Sequence, residues 1–264
     1  MSRILIKGHF IDHGRPDGDS IRFAVDAKQQ WRIRLEAIDA LETHYQPRGK
    51  SLHGRQPAAE GDAAASALQK FLGITDVDTK APGYIIRNDG TDSKGRVVAF
   101  AFAGRTRIGH GSTVEITDDV LKNSANFHML AHGHSYPCFY SRLEEPIRNL
   151  LATTAKEARA SGVGVWQSDV TQTGSLYAPL NAACQSIMWP KLFRRIVDFY
   201  AYNPLITAAT ATDLRVFLNS RTYDKLWVLP GMTRSHLAKE LDVTDHLVRL
   251  NQNPEDLVLY EEPA

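Results

Sequence analysis

The sequence is poor in cysteine. Cys138 and Cys184 are the only two in 264 residues, which is no disulfide framework and fits a reducing compartment. It has no excess of charge either. The 31 Lys and Arg nearly balance 30 Asp and Glu, so bulk electrostatics does not announce a nucleic-acid partner, and any attraction for phosphate must come from local arrangement. No apolar run is long enough to span a bilayer. The opening "MSRILIKGHFIDHG" carries charge and histidine where a secretory signal needs an apolar stretch. We therefore expect a soluble, cytoplasmic protein with no membrane partner, export without such a signal remaining open. There is no internal repeat and no low-complexity tract. At this length one large domain, or one domain plus a smaller one, is expected, and its ordinary apolar content supports a core without a staple.

What the sequence does have is alternation. "ILIKGHFID" reads as a strand. In "SIRFAVDA", Ile21, Phe23 and Val25 share one face and Arg22, Ala24 and Asp26 the other. "QWRIRLEAI" alternates likewise. "AAEGDAAASALQKFLG" reads as a helix stopped at Gly73, "GYIIRNDG" and "RVVAFAFAG" as two more strands, and "DDVLKNSANFHMLAHG" as a helix stopped at Gly133. "SRLEEPIRNLLATTAKEARASG" carries an apolar stripe of Leu143, Ile147, Leu150 and Leu151 and is the clearest helix. Three strands, a helix, two strands and two helices predict a five-stranded barrel with helices packed on it. The polar stretch "VTQTGS" marks a boundary, which divides the chain into 1–172 and 173–264.

Three segments carry candidate chemistry. "DGDSIRF" places Asp17 and Asp19 in a turn before the second strand. "RLEAIDALE" places Arg34, Asp39 and Glu42 where the third strand gives way to a loop. "TDSKGR" places Asp92, Lys94 and Arg96 in a turn between the fourth and fifth strands. Taken alone, each is equally a turn with solvated charges. Taken together, carboxylates gathered in one pocket repel one another unless a cation sits between them. Hard oxygen donors select calcium, magnesium or manganese. An arginine fork beside them suits a phosphate.

These pieces, with "GVGVWQSD" after the last helix, resemble the staphylococcal nuclease (thermonuclease) family over roughly residues 5 to 170. The resemblance implies an α+β fold built on an OB-fold barrel with three packed helices. It implies Asp19 and Asp39 as ligands of a divalent cation, calcium by preference, with the backbone carbonyl of Ala40 as a further ligand and Asp17 in the outer shell. Ala40 stands where the family usually has threonine, and Leu41 where it has proline. Glu42 would take a proton from the attacking water, and Arg34 and Arg96 would stabilise the pentacoordinate phosphorus. The implied reaction is hydrolysis of DNA or RNA to 3′-phosphate products with little sequence preference. Lys94, Phe139 and Tyr140 would meet the substrate; base stacking on the two rings of "PCFY" would suit a single strand, and both rings also suit a core. A barrel that only binds nucleic acid or protein is the alternative, and the presence of all five charged groups favours activity.

Other signals remain. His128, His132, His134 and Cys138 lie close in sequence and suggest either a zinc site or a helix end decorated with histidines. The loop from Tyr45 to Arg55 carries Arg48, Lys50, His53 and Arg55, which suits either guidance of a nucleic acid or a solvated insertion. Residues 173–264 are expected to be mainly helical. "WPKLFRRIVDFYAYNPLI" and "TATDLRVFLNS" read as helices, the latter with Thr212 as a possible cap. The stretch 226–251 resembles both a LysM module, which would target a cell wall, and a helix-turn-helix. An accessory subdomain is the third reading.

Overall fold

The computed structural model describes residues 3–12, 17–75 and 77–260. The first part of the chain runs through β1 (Arg3–Ile11), β2 (Ser20–Ala24), β3 (Gln30–Leu35), β4 (Ile38–Asp39), α1 (Ala58–Phe71), β5 (Lys80–Thr91), β6 (Val97–Ala103) and β7 (Thr113–Val114). It continues through α2 (Asp118–Lys122), α3 (Ala125–Ala131), β8 (Tyr136–Pro137), β9 (Phe139–Tyr140) and α4 (Glu145–Ala160). β1 pairs with β2 and β5, β2 with β3, and β6 with both β3 and β5, so five strands close on themselves as a barrel. The β3–β6 pair is parallel and the other four are antiparallel.

Side-chain alternation drives this closure. Ile21 and Phe23 of β2 and Ile33 and Leu35 of β3 are buried, while Arg22 and Arg32 face water. The helix expected over 118–133 is two helices. The hydroxyl of Ser124 accepts the Phe127 N–H at 3.1 Å and caps a new start, as serine favours over continuing a helix.

The second part contains β10 (Ser175–Leu176), α5 (Leu180–Cys184), α6 (Pro190–Tyr202), α7 (Ala211–Asn219), β11 (Lys225–Val228), β12 (Thr233–His236), β13 (Leu241–Val243), β14 (Leu247–Leu250) and β15 (Leu257–Leu259). It is mixed rather than mainly helical, which corrects the expectation. The stretch 226–251 forms four short strands and one 3-10 turn, so neither a LysM module nor a helix-turn-helix is built there. The physical reason lies in β14, where Leu247 and Arg249 are exposed and Val248 and Leu250 buried, a period of two rather than 3.6. α7 is capped by Thr210, not Thr212. The Thr210 hydroxyl accepts the Asp213 N–H, and the Asp213 carboxylate accepts the Thr210 N–H.

Two apolar clusters hold the molecule. One fills the barrel and the space under α1, α3 and α4. The other joins Leu41, Tyr136, Cys138 and Trp166 of the first part to Trp189, Phe193, Val197 and Leu257 of the second. β15 also pairs in parallel with β9. The second part is thus seated on the barrel, and α6 lies across its rim. No helix among the described residues is long and apolar enough to cross a membrane.

Candidate active site at the barrel rim

The rim is assembled by backbone geometry before any charge is considered. Ser20 and Arg34 face each other across the β2–β3 ladder, and the Leu35 N–H donates to the Asp19 carbonyl at 2.8 Å. The turn ahead of β2 passes close to α1. A Cβ on Gly18 would stand 2.6 Å from the Ala64 Cβ, a distance only glycine avoids, and this contact sets where Asp19 emerges. After β3 the chain turns out of the barrel at Ala37, which has φ of 69°. β4 then pairs with β8, bringing Asp39 opposite Tyr136.

The side chains meet where these turns converge. Arg34 Nη1 lies 2.6 Å from Asp19 Oδ2, and Nη2 lies 2.8 Å from Asp39 Oδ1. Asp19 Oδ2 also accepts the Ala40 N–H at 2.9 Å, and Oδ1 accepts the Ser20 hydroxyl at 3.1 Å. Arg96 Nη1 donates to the same Ser20 oxygen at 3.2 Å, while its Nε is held by Asp92 at 2.7 Å. Asp19, Arg34, Asp39 and Arg96, which three distant segments supply, are therefore linked in one network. Glu42 completes it through a residue that sequence reasoning missed.

That residue is Arg194 of α6. Its Nη2 lies 2.7 Å from Asp39 Oδ2, and its Nη1 lies 2.5 Å from Glu42 Oε1 and 3.1 Å from Asp39 Oδ1. Gln56, fully buried, ties the same two regions together. Its side-chain oxygen accepts the Glu42 N–H at 3.1 Å, and its amide donates to the Met188 carbonyl at 2.8 Å. The available signal was the pair Arg194–Arg195 inside the otherwise apolar "WPKLFRRIVDFY", since arginines on a buried helix require acidic partners.

Electrostatics follows from this packing. Burial favours the neutral form of Asp39, but Arg194 and Arg34 outweigh it and hold the carboxyl below its ordinary range. Glu42 is pushed up to about 7, first by burial and then by Asp17 and Asp39, with Arg194 opposing. Arg194 itself is held well above its ordinary value: Asp39 and Glu42 overcome the cost of burial.

Several expected positions differ. Asp17 Oδ1 accepts the Thr43 N–H at 2.9 Å and the Thr43 hydroxyl at 2.5 Å, which ties it to the loop after Asp39. Phe139 is 1 % exposed in the barrel-side core and offers no face to a base; Tyr140 beside it is 39 % exposed and does. Lys94 projects from the exposed turn that Asp92 organises. In the basic loop, Arg48, His53 and Arg55 are exposed, whereas the Lys50 ammonium sits 4.2 Å from the centre of the Tyr202 ring.

The donor chemistry suits calcium, but the acids are already engaged. Both Asp39 oxygens, both Asp19 oxygens and one Glu42 oxygen already accept hydrogen bonds, mostly from guanidinium groups. Among the described residues no group of three or more His, Cys, Asp or Glu is arranged to hold a metal ion. This includes the histidines on and just after α3, where the rings of His128 and His132 pack at 4.2 Å and Cys138 is buried elsewhere, its thiol pushed up to about 12 by burial and by Asp39. No family model matches the chain, and no curated protein does so either.

Proposed function

We propose that this rim is the centre of a phosphodiester hydrolase of the staphylococcal nuclease type, carried on an OB-fold barrel and acting on DNA or RNA. The observation that supports this most is convergence: Asp19, Arg34, Asp39 and Arg96, with Glu42 joined through Arg194, are distributed over almost eighty residues of sequence and meet on one side of a closed barrel.

The chemistry assigns each group a task. Glu42, with a carboxyl pushed up to about 7, accepts a proton from water near neutral pH. The water oxygen forms the new bond to phosphorus as the bond to the 5′ oxygen breaks, and that oxygen takes a proton from solvent, leaving a 3′-phosphate. Arg34 and Arg96, which keep their charge throughout, donate to the phosphoryl oxygens where negative charge grows. The exposed Tyr140 ring is available for stacking on an unpaired base. A divalent ion remains the expected cofactor of such a centre, and calcium the first choice, but no step above is routed through one.

The test is degradation of plasmid and of denatured DNA and RNA, followed on gels. We expect Glu42→Gln and Arg34→Ala each to slow cleavage by about 10² to 10³, as loss of one transition-state stabilising group does elsewhere, while both variants keep the wild-type circular dichroism. Equal rates in all three proteins would defeat the assignment. A non-catalytic barrel would instead bind nucleic acid without shortening it.

A further inference from the structure

We infer that Arg194 is a built-in cation: its guanidinium takes up both oxygens of Asp39, the acid it would share with a divalent ion, together with one oxygen of Glu42, so arginine and metal compete for Asp39. This rests on the reading of Asp19, Asp39 and Glu42 as the acids of the hydrolase.

Geometry carries the inference. Among the described residues, Arg194 is the single side chain that binds Asp39 and Glu42 together. It does so with the two nitrogens of one fork, at 2.7 Å and 2.5 Å. A calcium ion on Asp39 would bind its oxygens at about 2.3–2.6 Å, and because Arg194 donates to both of them the ion would fall within contact distance of the guanidinium. Charge makes the exclusion mutual. A divalent ion beside a buried guanidinium is strongly repelled, and an Asp39 that already accepts three bonds from Arg34 and Arg194 has little affinity left to offer.

Packing determines how the exclusion is lifted. α6 is not a mobile flap, because Leu192, Phe193, Ile196 and Val197 bury it in the second apolar cluster. Arg195 beside Arg194 is fixed by Asp224 and Asp198. The side chain of Arg194 retains 17 % of its surface at the rim, so releasing the acids requires that side chain to move rather than the helix. The second part of the chain therefore controls the barrel's acids through one rotamer, and it leaves them neutralised when no substrate or ion competes.

Metal uptake tests this without any nucleic acid. Calcium and manganese are titrated into wild type, Arg194→Gln and Arg194→Lys by calorimetry, and melting is recorded with calcium and with chelator. Wild type is expected to show weak or no saturable binding and no calcium-dependent rise in melting temperature. Arg194→Gln is expected to bind at least about tenfold more tightly, the order expected when one competing unit charge a few ångströms away is removed at a partly screened site. Arg194→Lys keeps a charge and should stay near wild type. Adding Asp39→Asn to Arg194→Gln should abolish the new site. If Arg194→Gln does not fold in chelator, calcium must restore a cooperative melt.

Tight calcium binding by wild type, or no gain in Arg194→Gln, overturns the inference. A gain of calcium binding in a protein that cuts nothing upholds it and removes the hydrolase reading instead.

Discussion

Two arginines that are neighbours in α6 enter two different ionic networks, and the contrast separates a site from a staple. Arg194 reaches the rim. Arg195 turns the other way, its Nε and Nη2 lying 2.5 Å and 2.6 Å from the two oxygens of Asp224 and its Nη1 2.8 Å from Asp198. Asp198 also accepts the Tyr45 hydroxyl at 2.8 Å, and Asp224 draws in the Lys191 ammonium at 3.3 Å. Both networks are built from bidentate, charge-assisted bonds. Their central arginines differ in access. Arg34 and Arg194 keep 14 % and 17 % of their side-chain surface, whereas Arg195 keeps 9 %. They differ in reach too. The Arg195 network joins a helix, a loop and the turn before β11 and extends to Arg221, 3.7 Å from Asp198, while the rim network runs from Arg96 to Glu42. Perturbed acids alone would not have distinguished the two.

The contrast is broken most directly at Asp224. Asp224→Ala strands Arg195 and Lys191 in a buried setting and should lower unfolding free energy by about 3–5 kcal/mol, the range for removing one member of a buried pair. Urea denaturation measures it. A loss below about 1 kcal/mol would mean that this network is worth no more than a surface salt bridge, and the distinction from the rim would fail. A smaller perturbation sharpens the same point. Tyr45→Phe deletes the bond to Asp198 while keeping the ring, which should cost about 1 kcal/mol and leave cleavage unchanged. A rate that falls with Tyr45→Phe would show instead that the staple tunes the site through α6.

Much of this was legible before any coordinates. Alternation in "SIRFAVDA" and "QWRIRLEAI" is a local property, and buried Ile21, Phe23, Ile33 and Leu35 against exposed Arg22 and Arg32 follow it, although β2 ends at Ala24, which is buried rather than on the exposed face. Turn chemistry located Asp19 and Arg96 because Asp-Gly and Lys-Gly turns fix where the next strand begins. Arg194 was illegible for the opposite reason. It lies 155 residues from Asp39 in an element with no motif, and only the docking of α6 on the rim brings them together. Phe139 and Tyr140 show the limit of residue type, since adjacent aromatics on one short strand take opposite faces and a one-residue difference sends Phe139 into the core. The stretch after Leu226 failed because runs such as "LVRL" are too short for a period to be decided by inspection; their burial decides it.

A third ionisable cluster complicates any use of pH to compare the two networks, and its sign can be worked out. His128 on α3 packs its ring against Phe71 at 4.6 Å and against His132 at 4.2 Å. Burial, and then the charges of His132 and His134, lower it to about 4 from an ordinary 6.5. In the folded chain it is therefore neutral across a window in which the unfolded chain binds a proton. Its contribution to stability is fully present above about pH 6.5 and is lost as pH falls toward 4, because the unfolded state gains the extra proton. Half-exposure makes the effect modest. Melting temperature followed from pH 7 to pH 4 should fall less steeply in His128→Leu than in wild type, with the two curves running parallel above pH 6.5. Identical slopes below that point would assign the acid sensitivity to the carboxylates of the two networks instead, so that Asp39 and Asp224 variants would be the ones to flatten it.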